Sequence, residues 1–258
     1  MTGRTQRHSY GWVMAVACGW AAAARADYRA FAHISPHFTQ PEGQLEVEGW
    51  VSAESGALAQ AGSTTLYEHR LEVEYGLTDR ADVSLYQVFQ QPASDAFRFD
   101  SVRFEGRYQL TRKFEAPVDV LAYAEFERPA DLQAPNELEL KLVATRDLGS
   151  FYVQTNWIAE AKLATGDRFG YWLGAYLGAG YEVVPSLRLG VELLADWVSE
   201  FQGPSAQRGR MLHLGPSLAL ARGRVWCVLS PAFGVAGTST APELGRDLRL
   251  RLIVGVEL

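Results

Sequence analysis

Between Thr64 and Gln91 the chain changes character at every residue. Tyr67, Leu71, Val73 and Tyr75 share one phase, and Glu68, Arg70, Glu72 and Glu74 share the other. A repeat of two is the signature of a β-strand, because successive side chains leave a strand on opposite faces. The link Gly76-Leu77-Thr78-Asp79-Arg80 then turns the chain back into a second strand. One face of this hairpin is greasy and the other ionised. In a soluble sandwich the greasy face would pack on a second sheet; in a membrane barrel it would meet lipid while the charges line the lumen.

The rest of the chain decides between the two. The alternation recurs over Gln44 to Ser52, Ala81 to Gln91, Phe99 to Leu110, Val118 to Glu127, Asn136 to Arg146 and Phe151 to Leu163. It continues over Phe169 to Val183, Leu187 to Val198, Met211 to Arg222, Val225 to Val235 and Asp247 to Leu258. With the opening hairpin strand these make twelve, an even number. The links at Gly76–Arg80, Thr111–Pro117, Asp147–Ser150, Val184–Ser186 and Gly223–Arg224 are mostly tight, and those between them mostly longer. A bacterial outer-membrane barrel has this pattern of short turns on one rim and longer loops on the other. Outward aromatics fall at both ends of the strands: Tyr75, Tyr108, Phe151 and Tyr181 near the short turns, and Tyr67, Phe89, Phe126, Tyr171, Trp197 and Phe233 near the long loops. Two interfacial girdles explain that placement. A sandwich has no reason for it. The predicted fold is an all-β, transmembrane, antiparallel up-and-down barrel of about twelve strands, monomeric, with short periplasmic turns and longer extracellular loops. Pro216 and Pro231 fall on apolar faces of the tenth and eleventh strands, where a missing N–H predicts a bulge or locally broken pairing.

The ends set the compartment. Residues 1–26 carry Arg4 and Arg7, an apolar middle and the exit Ala24-Arg25-Ala26, which together predict a cleaved signal peptide. Its removal takes three arginines and no acid, leaving 24 − 3 = 21 basic against 30 acidic residues, net −9. That balance argues against nucleic acid as a partner. Cys227 would then be the one remaining cysteine, which excludes an internal disulfide. Residues 27–43 lack periodicity and are assigned to the periplasmic side, with a plug formed by residues 27–40 left open; residues 44–258 form the barrel.

The segments EHRLEVEYGLTDRADVSLY, SVRFEGRYQL, NELELKLVATRDLG, HLGPSLAL and RLRLIVGVEL together resemble a family of uncharacterised Gram-negative outer-membrane barrels. More loosely, the chain is similar to small barrels grouped with aromatic-degradation gene clusters. The resemblance implies location and architecture, and prolines tolerated at positions such as Pro216 and Pro231. It implies no catalytic residue.

The expected lumen holds Glu68, Arg70, Glu72, Glu74, Arg103, Glu105, Arg107, Glu125, Glu137, Glu139, Lys141, Glu160, Lys162, Glu192, Arg249 and Arg251. Carboxylates and cations facing each other across adjacent strands would pair, giving either a salt-bridged interior or the wall of a narrow water-filled route. The function expected is passive passage of small polar or charged solutes, with a closed structural or interaction barrel as the alternative and a lipid-facing hydrolase built on His69 as a further one. His213 is expected inside the barrel. His33 and His37 have the spacing of two ligands on one helix face, but Pro36 between them argues against a helix, so no metal and no cofactor is assigned. The partners expected are outer-membrane lipid, the assembly machinery that reads the C-terminal strand, and small polar solutes.

Overall fold

The structure, a computed structural model, describes residues 28–56, 65–92, 95–166, 168–202, 205–239 and 247–258. The predicted signal peptide and its cleavage lie outside them. Twelve strands follow one another: β1 (Leu45–Ser55), β2 (Thr65–Thr78), β3 (Ala81–Gln91), β4 (Arg98–Gln109), β5 (Asp119–Pro129) and β6 (Glu137–Leu148). Then come β7 (Phe151–Thr165), β8 (Arg168–Val184), β9 (Leu187–Gln202), β10 (Ser205–Arg222), β11 (Val225–Ser239) and β12 (Leu248–Glu257). Each pairs antiparallel with its neighbours in sequence, and β1 closes on β12 from Glu46↔Glu257 to Ser55↔Leu248. Closure leaves no free sheet edge, the condition for crossing hydrocarbon with strands.

The alternation in the sequence maps onto the wall. Leu71, Val73, Leu85, Phe104, Leu140, Trp157, Leu173 and Val191 are exposed on the outside, while their odd–even partners point in. Of the ten girdle aromatics, nine are exposed and Phe89 is half-buried. Phe89 stacks on Phe97 with centroids 5.2 Å apart and meets Phe99 edge-on at 5.7 Å, two rings the sequence reading did not place in the girdle. At the short-turn end Phe151 and Tyr181 are register partners with centroids 4.7 Å apart.

Loop lengths depart from strict alternation. The link between β4 and β5 runs over nine residues on the short-turn side, whereas β7 to β8 and β9 to β10 are each joined by two residues on the other. The stretch from Ser199 to Gly209, expected as a long loop, instead continues the β9–β10 ladder from Gly209↔Val198 to Ser205↔Gln202. Phe201 stacks on Phe169 at 4.6 Å, and that contact extends the hairpin beyond the band of regular alternation.

The prolines act as their chemistry requires. β10 pairs with β9 without interruption through Pro216↔Val191, but between β10 and β11 the ladder lapses from Leu214↔Phe233 to Leu218↔Leu229, with a bulge at Leu212/His213. The lapse spans Pro216 and Pro231. Neither can donate to the ladder.

The N-terminal segment takes the alternative left open, a plug. Residues 28–43, assigned to the periplasmic side, enter at the short-turn rim and fold up inside the barrel. Gly43 N–H donates to Gly76 O at 2.9 Å, fixing the point of entry. Tyr28, Phe31, Ala32 and Ile34 are buried among inward side chains of the wall. A segment with no periodicity of its own has no strand or helix pattern to announce it; its four apolar side chains fill an interior that the wall alone leaves empty.

Candidate functional site: the lumen and its N-terminal segment

The segment is held by groups from around the barrel. Ala32 N–H and His33 N–H donate to the two oxygens of Glu192 at 3.1 and 3.0 Å, and Ser230 Oγ donates to the same carboxylate. Ser217 Oγ donates to Ala30 O at 2.9 Å, Arg188 Nη1 to Tyr28 O at 2.9 Å, and Gln154 Nε2 to Ser35 O. Gln40 N–H donates to Asp82 Oδ2 at 2.8 Å. Arg29 Nε meets Glu48 Oε1 at 3.0 Å. Glu192 is therefore a clamp for the segment's backbone, a role the sequence alone could not assign.

Packing matches these bonds. Tyr28 and Ala32 join Trp50, Tyr86, Val88, Ala219, Trp226, Val228 and Ile253 in one cluster; Phe31 and Ile34 join Ile158, Tyr176, Leu194 and Ala232 in another. Room for Phe31 comes from Gly178 and Gly190: a Cβ at those positions would lie 2.5 Å and 2.7 Å from its ring. The sequence had a signal for this half of the lumen. Tyr86, Val88, Leu121, Leu194, Val228 and Ile253 sit in the inward phase yet are apolar, and a lumen filled only with water would not ask for them.

Burial pushes His33 well below the usual histidine range, helped by the guanidiniums of Arg251 and Arg249. Its Nε2 faces the Ser230 carbonyl at 3.2 Å, and since a carbonyl only accepts, that nitrogen is the donor.

All sixteen charged residues expected in the lumen are buried or half-buried inside the barrel. They divide between its two halves. Eleven of them (Glu68, Arg70, Arg103, Glu125, Glu137, Glu139, Lys141, Glu160, Lys162, Arg249 and Arg251) line a cavity of about 590 Å³ toward the long-loop end. Glu72, Glu74, Glu105, Arg107 and Glu192 lie in the half filled by the N-terminal segment. Glu46, Glu48, Glu127 and Asp196 belong to the same interior, as does Glu200, which was expected in a loop. From the vestibule a gap of about 40 Å³ continues past Arg29, Ala32, His33 and Ser35. Next to Tyr28, Pro36, Phe38 and Gln40 the remaining gap has no room for a water molecule.

The expected pairing across adjacent strands holds in part. Arg107 meets Asp82, Arg103 meets Glu127 at 2.9 Å, Lys162 meets Glu137 at 3.5 Å and Arg249 meets Glu54 at 3.7 Å, each directly across the ladder. Other rows carry one sign: Glu105, Glu125, Glu139 and Glu160 stand side by side on β4 to β7, as do Glu46 with Glu74 and Glu48 with Glu72 on β1 and β2. Those rows are neutralised from the next ones, where Arg103 reaches Glu125 at 3.2 Å, Arg107 reaches Glu105 at 3.3 Å, and Lys141 reaches Glu139 at 2.6 Å. Around Trp50, Arg29, Arg70 and Arg251 place their guanidinium carbons 4.9, 5.3 and 5.2 Å from the ring centroid.

His213 is fully buried inside the wall, and His33 lines the vestibule floor while His37 lies in the docked segment. His69 faces outward with its ring 5.4 Å from Phe97, as one member of the long-loop aromatic belt.

No protein-family model matches the chain, and no curated protein matches it. Solved structures do. An outer-membrane channel from Pseudomonas putida F1 superposes with a TM-score of 0.64 at 15% identity, covering 87% of this chain and 100% of that one. The NanC porin gives 0.51 at 12% identity (83% and 100%), and the KdgM porin in complex with disordered oligogalacturonate gives 0.50 at 13% identity (82% and 98%). At such identities the likeness is one of fold: this chain is a closed twelve-stranded antiparallel barrel of the kind those outer-membrane channels adopt.

Proposed function

We propose that the chain is a Gram-negative outer-membrane channel whose charged vestibule admits small polar or charged solutes and whose own N-terminal segment closes the route at the short-turn end. One observation carries this reading. The lumen is sealed by a segment that is not part of the wall, over a vestibule of about 590 Å³ that is already open above it. A barrel closed for purely structural reasons can fill its interior with wall side chains, as small barrels do. Here the seal is a separate piece of chain, tethered at Gly43 and able to leave without breaking a strand pair.

The rival is a closed structural barrel, favoured by the absence of water-sized space beside Phe38 and Gln40. Planar-bilayer recording separates the two. The channel reading expects rare or small openings from the intact chain and steady conductance once residues 28–40 are deleted. Equal electrical silence from both, each shown to be folded by its heat-modifiable migration on gels, refutes it.

A further inference from the structure

The vestibule carries charge of both signs in nearly equal number, nine carboxylates and eight cations among its described lining residues. They are not mixed evenly. Five of the carboxylates lie on β5 to β7 beside two lysines, whereas the arc of β12, β1 and β2 holds three arginines and two glutamates. Such a wall has little net potential to concentrate ions of one sign. What it has is a field across the lumen, and that field acts on a solute which is itself a dipole.

On each arc one charge is left over. Both lysines of the acidic arc are engaged, Lys141 with Glu139 at 2.6 Å, and Lys162 with Glu200 at 2.6 Å and Glu137 at 3.5 Å. Glu160 makes no ion pair among the described residues, and its partners across the two ladders are Glu139 and Trp172. On the basic arc Glu68 is taken by Arg70 at 2.6 Å and Glu54 by Arg249 at 3.7 Å. Arg251 has serines for both ladder partners, Ser52 and Ser230, and makes no ion pair among the described residues. Its Nε donates to Ser52 Oγ at 3.0 Å and its Nη1 to Ala32 O at 3.5 Å, which leaves most of its N–H donors for a ligand.

A half-buried charge without a counter-charge is costly, and a ligand that brings the counter-charge lowers that cost. Glu160 suits an ammonium, with the Trp172 indole on the neighbouring strand as a second attraction for a cation. Arg251 suits a carboxylate, which a planar guanidinium can grip with two parallel bonds. Five strand spacings of about 4.8 Å separate β12 from β7 along the wall, and two long side chains reaching inward close part of that distance. A solute with several bonds between its charges fits such a span better than an α-amino acid, whose charged groups share one carbon.

We propose that the vestibule binds small zwitterions with well-separated charges, the chemistry of short peptides and ω-amino acids, with the carboxylate on Arg251 and the ammonium on Glu160. As a cargo class this rests on the channel reading; binding itself does not require passage. The test is titration calorimetry on the detergent-folded full chain at neutral pH and low salt, with ε-aminocaproate, caproate and hexylamine as probes of matched length. The zwitterion should bind at least about tenfold more tightly than either singly charged probe. Glu160→Gln should bring it down to the affinity of caproate, and Arg251→Gln to that of hexylamine. Should Arg251→Gln fail to fold, judged by heat-modifiable migration, Glu160→Gln carries the test, because it removes a charge from beside Glu139 of like sign. No binding of the zwitterion, equal binding of the three probes, or a zwitterion preference that survives Glu160→Gln overturns the site. Selective binding by a barrel that stays electrically silent after deletion of residues 28–40 keeps the site and refutes the channel instead.

Discussion

Gly178→Val is the sharpest mechanical test of the seal. A Cβ at 178 would lie 2.5 and 2.6 Å from two ring carbons of Phe31 and 2.9 Å from Ile34 Cδ1, roughly 1 Å inside ordinary contact. The ring has nowhere to retreat, since Gly190 limits it from β9 and Tyr152 lies 5.5 Å away on another side. Valine adds two further methyl groups. Phe31 and Ile34 are 0% and 1% exposed, and burying each is worth about 1.5–3 kcal/mol, so their expulsion removes about 3–6 kcal/mol from docking. At about 1.4 kcal/mol per factor of ten, the docked fraction relative to the free one falls by about two to four powers of ten. The strand itself should not suffer, because valine is a better strand residue than glycine. Single-channel recording should find the variant open most of the time, and trypsin should cut after Arg29 far faster than in the parent. Adding Phe31→Ala to Gly178→Val makes room again and should restore part of the closure. A Gly178→Val barrel that folds, stays electrically silent and protects Arg29 as well as the parent does would refute the docking argument.

Further predictions follow from the same interior. Docking keeps His33 below its free pKa of about 6.5, so docking is at full strength above that pH and weakens as pH falls from it toward the lower bound value; each pH unit in that window removes up to about 1.4 kcal/mol. Open probability should therefore rise up to about tenfold between pH 6.5 and 5.5, and His33→Gln should flatten that rise, as recorded in bilayers with buffer on the short-turn side. Arg107 sits between Glu74, Asp82 and Glu105 with its side chain 1% exposed, so Arg107→Ala should destabilise the barrel by about 3–5 kcal/mol in denaturant unfolding. Arg103, at 16% side-chain exposure on the vestibule wall, should behave differently: Arg103→Gln should shift ion selectivity toward cations, read from reversal potentials, with little loss of stability. Leu140→Arg, on the outer face between the girdles, should cost about 2–4 kcal/mol in folding into lipid, whereas the inward neighbour change Glu139→Gln should leave folding into lipid nearly unaffected.

What could be read from the residues alone follows from how many neighbours each conclusion needs. Strand positions, inward and outward phase and the girdles need only the chain's own period, and β3 runs from Ala81 to Gln91 as expected. Phase also told that Glu72 and Arg107 point inward. It could not tell which charges meet, because pairing depends on the shear of the closed sheet; that shear sets Glu125 beside Glu139 and sends Arg103 across rows to reach Glu125. The N-terminal segment was harder still. Its bonds span separations of 160 residues for Ala32 with Glu192 and 187 for Ala30 with Ser217, so no local window contains both partners. Yet two traces of it were present. Gly178 and Gly190 leave the inward phase without side chains, and Tyr86, Val88, Leu194 and Ile253 put apolar groups among its charges. Bare glycine beside greasy inward residues on a barrel wall describes a socket, and a socket implies an occupant. In this chain the occupant precedes the first strand, and its seating rests on how closely that socket fits Phe31.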